Sequence, residues 1–361
     1  MNISMNSRRF ARTSRGFTLV EVMISMIILA LILLVSVQVL NQTQRTWKQG
    51  VTRVEQFREA RMAFESITQS VRQAVLNTYE AYQYNTGTTP TVPSSKNQAP
   101  LRYMRQSELQ FVTGQSSKLL PGGAASSLVS HAIFFQARLG LSDRPGYEAL
   151  NNLLCGRGYF IMYSTDDGFR PAHVTAQRAR FRLWEYRPPS ESNSVYAVNP
   201  GQWFVKAPVE AVTSSDSITQ PANTRPVAEN IIALIISPQV TADDAAYMGK
   251  QPWWIAPNYS YDSTAQTNTT AQSPQGTQHM LPPRVVVTLV AIDEGSARTL
   301  AEKSGAGGTM PQLVTPDLFT QCTNFQTDLQ TLETKLNAQH LNYRIFTASI
   351  SMRNSKWGLL R

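Results

Sequence analysis

The chain has 361 residues, 42% of them hydrophobic and 16% charged, which is enough for a sizeable core and one or two folded domains. Its formal net charge of +9 falls to +5 once the four arginines of the first sixteen residues are set aside. A charge this mild argues against nucleic acid as the main partner.

Two contrasting segments open the chain. Residues 1–16 end on Gly16 and contain no acidic residue and four arginines: Arg8, Arg9, Arg12 and Arg15. Residues 17–40 are almost wholly apolar and carry one carboxylate, Glu21. As a helix they would be about 36 Å long, enough to cross a bilayer with some tilt. A charged side chain near the centre of such a segment costs about 3 kcal/mol or more, so Glu21 requires a reason to be there.

The small residue stands before the apolar run, as Gly16, and no small-residue cleavage site follows that run. With the sequence from Gly16 through Phe17 to Glu21, this order resembles the class III leader of type IV pilins and of type II secretion pseudopilins. The alternative is a plain signal anchor with a chance glutamate. The pilin-like leader is favoured, because the arginines, the glycine, the phenylalanine and the glutamate all stand in the order and at the spacing that such a leader has.

The resemblance implies specific chemistry at three residues. A prepilin peptidase would cleave between Gly16 and Phe17 and N-methylate Phe17. Glu21 would be the family's characteristic glutamate, pairing with the terminal amine of a neighbouring subunit, or with its own before assembly. Each buried charge would then have a partner. The resemblance also implies an inner-membrane location, single-pass with the globular domain in the periplasm, and later a place in a filament or at the cell surface.

Residues 41–82 are predicted to continue the helix as an amphipathic half, helical to about Leu76. Apolar residues recur mostly three or four apart from Trp47 to Ala74, and arginines and glutamates occupy the other face. This stripe predicts packing against a later domain. The run from Arg53 to Ala74 also resembles the spine of J-type pseudopilins and W-type minor pilins.

Residues 83–100 are rich in Thr, Ser and Pro, which predicts a polar linker or long loop. Residues 101–361 are predicted to form a β-rich globular domain. Turn residues separate seven predicted strands: Leu101–Val112, Ala132–Leu141, Gly158–Ser164, Ala179–Tyr186, Asn230–Ser237, Arg284–Ile292 and Tyr343–Met352. The nearly all-apolar strand from Asn230 predicts a central, doubly buried position. A late helix is expected from about Pro316 to His340. The predicted class is α+β, pilin-like: a long N-terminal helical spine on a mostly antiparallel sheet with large insertions.

The second half of the domain carries further resemblances. The segments Val227–Leu234 and Leu281–Val287, with Trp253 and Trp254 between them, look like the closing half of J-type pseudopilins. Tyr343–Phe346 resembles the terminal strand of W-type minor pilins. The large insertions and the ending at Ser355–Gly358 are similar to Verru_Chthon cassette protein C, a pilin-like family.

No catalytic motif is found, and no cofactor or metal site is predicted. The histidines are scattered, without zinc-ligand spacing: His131, His173, His279 and His340. Asp166-Asp167 and Asp243-Asp244 could supply calcium ligands, as in some tip pseudopilins, but they lack the spaced carboxylates of a dedicated loop, and solvated turns are favoured.

The two cysteines, Cys155 and Cys322, allow one pairing. In a periplasmic domain they could form a disulfide closing a long loop, worth about 4–5 kcal/mol in the chain-entropy model. Two unpaired buried thiols are the equal alternative.

Residues Arg178–Arg187 combine arginines with aromatic residues. Strand alternation predicts that Arg178, Arg180, Arg182, Trp184 and Tyr186 share one face, opposite a core face. Such a face could stack on and pair with single-stranded nucleic acid. A solvated outer face, or a contact with a neighbouring subunit, is favoured over that interpretation.

The predicted function is therefore a non-enzymatic minor pilin or pseudopilin of a type IV-like filament, a pilus or a type II secretion pseudopilus. Its globular part is bulky for a repeating shaft, which favours the tip or assembly initiation. The implied partners are prepilin peptidase, other pilins through the N-terminal helix, the inner-membrane assembly platform, and inner-membrane lipid before assembly. The alternative is a filament-borne adhesin or DNA-binding subunit with residues 83–270 as its head; a membrane-anchored hydrolase comes third.

Overall fold

The computed structural model describes residues 18–87, 90–120, 127–147, 149–166, 170, 173–174, 177–193, 203–204, 223–270, 273–304 and 309–357. The chain divides into two compact units, Met1–Glu55 and Gln56–Arg361. In the described part, a long apolar N-terminal helix and antiparallel sheets confirm the α+β, pilin-like architecture. The leader, residues 1–16, lies outside the described residues.

In its described part the first unit is a single helix, α1 (Leu19–Gln56). The boundary between the units falls after Glu55, so Gln56, the last residue of α1, is counted with the second unit. The second unit begins with α2 (Arg58–Arg72), whose buried side chains recur three or four residues apart. This stripe packs on the sheets, and the ring of Phe64 lies 5.8 Å from that of Phe346. The predicted packing of an amphipathic helix on the later domain is thereby confirmed.

The prediction of one uninterrupted helix to about Leu76 is wrong at two places. Phe57, with φ −101° and ψ 6°, lies outside helical geometry and separates the two helices. The second helix stops at Arg72 because the chain changes hydrogen-bonding partner: the Val75 N–H donates to the Gln136 carbonyl at 3.0 Å. The amphipathic helix predicted over residues 41–82 therefore ends at Arg72, and residues 79–82 belong to a strand.

Eleven strands run through the described residues. They are β1 (Tyr79–Gln83), β2 (Arg102–Gln106), β3 (Val112–Gln115), β4 (Leu128–Arg138), β5 (Leu154–Ser164), β6 (Arg180–Tyr186), β7 (Thr224–Glu229), β8 (Ile231–Gln239), β9 (Tyr261–Asp262), β10 (Arg284–Ile292) and β11 (Tyr343–Ser351). The helices among them are α3 (Ser116–Leu119), α4 (Ala242–Tyr247), α5 (Glu294–Ser304) and α6 (Phe325–Ala338).

The strands form three antiparallel sheets in the described chain: β1-β2, β11-β10-β8, and β7-β6-β5-β4-β3-β9. The sequence left a polar linker or a long loop as alternatives for residues 83–100. Residues 84–101 connect the two paired strands β1 and β2, which makes this segment a loop. The late helix begins at Phe325, after a turn at Cys322–Asn324, rather than near Pro316.

The strand β8 is buried on both faces, as predicted, but it is not central. Its pairing partner β10 occupies the middle of the three-stranded sheet. The other edge of β8 meets a bulge in β4, where Ser130 Oγ accepts from the Leu234 N–H at 3.1 Å and His131 Nδ1 accepts from the Ile236 N–H at 3.2 Å. Side chains thus satisfy backbone groups that a neighbouring strand would otherwise pair, and they join two sheets into one core.

Candidate functional site at the amino terminus

The first turn of α1 is capped by a side chain. Thr18 Oγ1 accepts a hydrogen bond from the Glu21 N–H at 3.3 Å, and Ser25 Oγ donates to the Glu21 carbonyl at 2.7 Å. This threonine-to-glutamate spacing is that of a capping box, a signal present in the sequence that pattern reading missed. Glu21 therefore lies in the first turn, where the helix dipole favours a carboxylate.

Apolar side chains cover all sides of the helix that follows. Leu19 is 76% exposed, Leu31 64% and Leu40 59%. Leu19–Gln44 is the one segment of the described chain long and apolar enough to cross a membrane, and at 1.5 Å per residue it is about 39 Å long. A helix that is hydrophobic all round needs lipid or other helices around it. Within the described residues Glu21 takes part in no ion pair.

Comparison with known families identifies this segment. Residues 11–37 match the model described as the prokaryotic N-terminal methylation motif. The match supports a type IV pilin-like class III leader, the signal that a prepilin peptidase processes. No curated protein and no solved structure matches the chain.

The matched range includes Gly16, Phe17 and Glu21. Gly16 and Phe17 lie outside the described residues, so cleavage and methylation there stay predictions. The J-type, W-type and Verru_Chthon resemblances also stay predictions.

The two cysteines occupy separate buried environments as free thiols. Cys155 Sγ lies 3.4 Å from the Leu141 carbonyl oxygen, and Cys322 Sγ lies 3.3 Å from that of Ala256. Burial raises the pKa of both thiols. Of the two alternatives left open by the sequence, the structure has the buried thiols and not the disulfide.

The aspartates considered as calcium ligands have other partners. Asp166 Oδ1 accepts from Arg170 at 3.0 Å and from the Arg178 N–H at 2.9 Å, and Asp167 lies outside the described residues. Asp243 and Asp244 lie in the first turn of α4, where Thr241 caps the Asp244 N–H. In the part of the chain that the structure covers, no group of three or more His, Cys, Asp or Glu is placed to hold a metal.

The prediction of a solvated basic face on β6 is wrong. Every residue of the strand is buried, because acidic groups from elsewhere in the sequence cover the arginines. Arg182 pairs with Glu229 at 2.9 Å, and Arg180 pairs with Glu294 at 3.1 Å. With its guanidinium groups engaged inside the protein, this strand offers no phosphate-binding surface.

A buried charge network on β6 escaped sequence reasoning. The Glu185 side chain is 2% exposed and accepts from Arg157, from Arg225 at 2.8 Å and from the Tyr159 hydroxyl at 2.9 Å. That hydroxyl also lies 3.1 Å from Ser70 Oγ, so the network connects the sheet to α2. Burial alone would raise the pKa of Glu185, but the Arg157 charge and the hydrogen bonds from Arg225 and Tyr159 hold it below its usual value.

The histidines lie in different parts of the described chain, and one of them is fully buried. His131 Nε2 donates to the Phe319 carbonyl at 2.9 Å while Nδ1 accepts from the Ile236 N–H, an arrangement that requires the neutral ring. Burial lowers the pKa of His131 to about 4, opposed by the hydrogen bond to Phe319.

This burial predicts a loss of stability in acid. Between pH 6.5 and about 4, His131 is protonated in the unfolded chain but not in the folded chain. The free energy of unfolding therefore falls as the pH falls, by about 3 kcal/mol for this residue. Chemical unfolding of the detergent-solubilised chain at pH 7 and pH 4.5 measures it. His131→Gln should be less stable at pH 7 and lose less between the two pH values, while exposed His173→Gln should behave as wild type. Equal losses in all three proteins would contradict the assignment.

Proposed function

We propose that the mature chain is a non-enzymatic minor pilin or pseudopilin subunit of a type IV-like filament. The observation that carries the proposal is the coincidence of the methylation motif at residues 11–37 with a fully exposed apolar helix that holds Glu21 in its first turn. Prepilin peptidase would cleave after Gly16 and methylate Phe17, leaving Thr18 as the second residue of the mature chain.

In this proposal Glu21 pairs with the methylated terminal amine of a neighbouring subunit. Both charges would otherwise be stranded in apolar surroundings, and pairing offsets that cost. Before assembly the same helix holds the chain in the inner membrane, with the folded unit Gln56–Arg361 in the periplasm, where it meets the assembly platform.

A position at the filament tip or in assembly initiation suits the second unit. It carries long loops and extra helices beyond its sheets, such as residues 84–101 and α5, and a repeating shaft would have to accommodate that bulk at every subunit. A DNA-binding role loses its basis, because the arginines of β6 are buried. The adhesin alternative stays a prediction.

Immunogold labelling with antibodies to the exposed residues 92–97, between β1 and β2, tests the position. We expect gold at filament ends, a few particles per filament, and none in a strain lacking the gene. Gold spaced regularly along shafts would contradict the tip position. Chain confined to the membrane fraction while filaments remain unlabelled would contradict membership of the filament.

A further inference from the structure

A polar hollow of about 350 Å³ opens where three segments of the folded unit meet. These are the end of β3 with α3, the loop 258–260, and the loop 316–321. Six polar side chains line it: Gln115, Lys118, Asn258, Ser260, Thr320 and Gln321. The volume lies within the range of small-molecule sites, about 300–1,000 Å³.

Both loops hold a bulky residue in a strained backbone conformation. Tyr259 has φ +62° and Phe319 has φ +56°, in the left-handed region that large side chains rarely adopt. Strain of this kind concentrates at ligand-binding and catalytic sites, where the surrounding structure enforces it. Here each strained residue stands directly beside residues that line the hollow.

Buried contacts hold the two strained residues in place. The Tyr259 carbonyl accepts from Thr113 Oγ1 at 3.0 Å, and the tyrosine ring centroid lies 4.7 Å from that of His131. The Phe319 carbonyl accepts from His131 Nε2 at 2.9 Å, and its N–H donates to Asp328 Oδ2 at 2.8 Å. Since His131 contacts both loops, the neighbours Asn258, Ser260, Thr320 and Gln321 are held at the hollow before any ligand arrives.

The lining defines a ligand chemistry. Amide and hydroxyl side chains both donate and accept hydrogen bonds, as a ligand with several hydroxyl groups requires. Lys118 supplies one positive charge, no described Asp or Glu lines the hollow, and Lys118 forms no ion pair within the described chain. Leu119 and Pro316 add apolar surface against which the carbon face of a ring can pack.

We infer that this hollow binds a sugar acid, with the carboxylate of a hexuronic acid on Lys118 and its hydroxyl groups on the amide and hydroxyl side chains. The ligand is either a free monosaccharide or the uronic-acid unit of a polysaccharide. The site belongs to the folded unit, so it does not depend on the proposed role in a filament.

Saturation-transfer NMR and calorimetry on the full chain in detergent test the inference, with glucuronate, glucose and a trigalacturonate as probes. We expect glucuronate to bind about tenfold more tightly than glucose, the size of one charge-assisted hydrogen bond. Lys118→Met should abolish that preference, and Gln321→Ala should weaken both sugars. Lys96→Met, which removes an exposed lysine from the loop between β1 and β2, should change neither.

Each outcome of these measurements either supports or overturns the inference of a sugar-acid site. Tighter binding of the trigalacturonate than of glucuronate would assign the site to a polysaccharide, and equal binding would assign it to a free sugar acid. Absence of saturation transfer to every probe, equal affinity for glucose and glucuronate, or a preference that survives Lys118→Met would overturn the inference. A result of either kind leaves the filament proposal intact, because none of these variants lies in α1.

Discussion

Glu21→Ala is expected to leave leader processing intact while incorporation into filaments falls by about a hundredfold or more. Processing should persist because the side chain lies beyond the proposed bond between Gly16 and Phe17. Incorporation should fall because the terminal amine of the neighbouring subunit would lose its partner in apolar surroundings, at a cost of about 3 kcal/mol or more. A tenfold change in an equilibrium corresponds to about 1.4 kcal/mol.

Quantitative immunoblots of membrane and sheared surface fractions measure both quantities. Glu65→Ala is the matched control, because this glutamate lies on the exposed face of α2 with its side chain 63% exposed. Glu21→Asp should retain part of the incorporation. Normal incorporation of Glu21→Ala would count against the proposed pairing of Glu21.

Glu185→Ala is expected to lower the free energy of unfolding by about 3–5 kcal/mol. The substitution leaves the Arg157 guanidinium, whose side chain is only 11% exposed, as an uncompensated charge in the core. It also removes the acceptor of the Tyr159 hydroxyl, and with it part of the connection to Ser70 on α2. Urea unfolding followed by the fluorescence of buried Trp184 and Trp203 measures the loss.

Arg225→Ala provides the comparison for this network. Its guanidinium also binds Glu185, but the side chain is 58% exposed, so its removal should cost less than about 1 kcal/mol. Adding Arg157→Met to Glu185→Ala should recover part of the stability, because the unpaired charge is gone. A double variant less stable than Glu185→Ala would show that the buried charge is not the cause.

Local sequence pattern predicted the elements that are apolar over their whole length. The strand Arg284–Ile292 has the predicted bounds, and the buried strand β8 begins within one residue of its prediction. Both strands are dense in β-branched residues, which are enriched in strands. The motif in residues 11–37 was equally readable, because charge, glycine, phenylalanine and glutamate occur in fixed order along the chain.

Features set by distant partners could not be read locally. Alternation placed the arginines of β6 on one face correctly, yet only the fold brings Glu229 and Glu294 to cover them. The short strands β1, β7 and β9 lack an apolar run and form because a neighbour pairs with them. The helix break at Phe57 likewise has no proline or glycine to announce it.

The hollow beside α3 shows the same limit. Its six polar side chains come from three segments far apart in sequence, and none of these segments carries a motif. The strained φ values of Tyr259 and Phe319 appear only once the chain is folded, since neither residue type favours the left-handed region.

Mass spectrometry of the mature amino terminus, on chain isolated from the membrane and from sheared surface material, tests the central claim most directly. We expect a chain that begins at N-methylated Phe17, and an unprocessed chain in a strain without prepilin peptidase. A chain that retains residues 1–16 in a host with an active prepilin peptidase would contradict the account and leave a signal-anchored protein in place of a filament subunit.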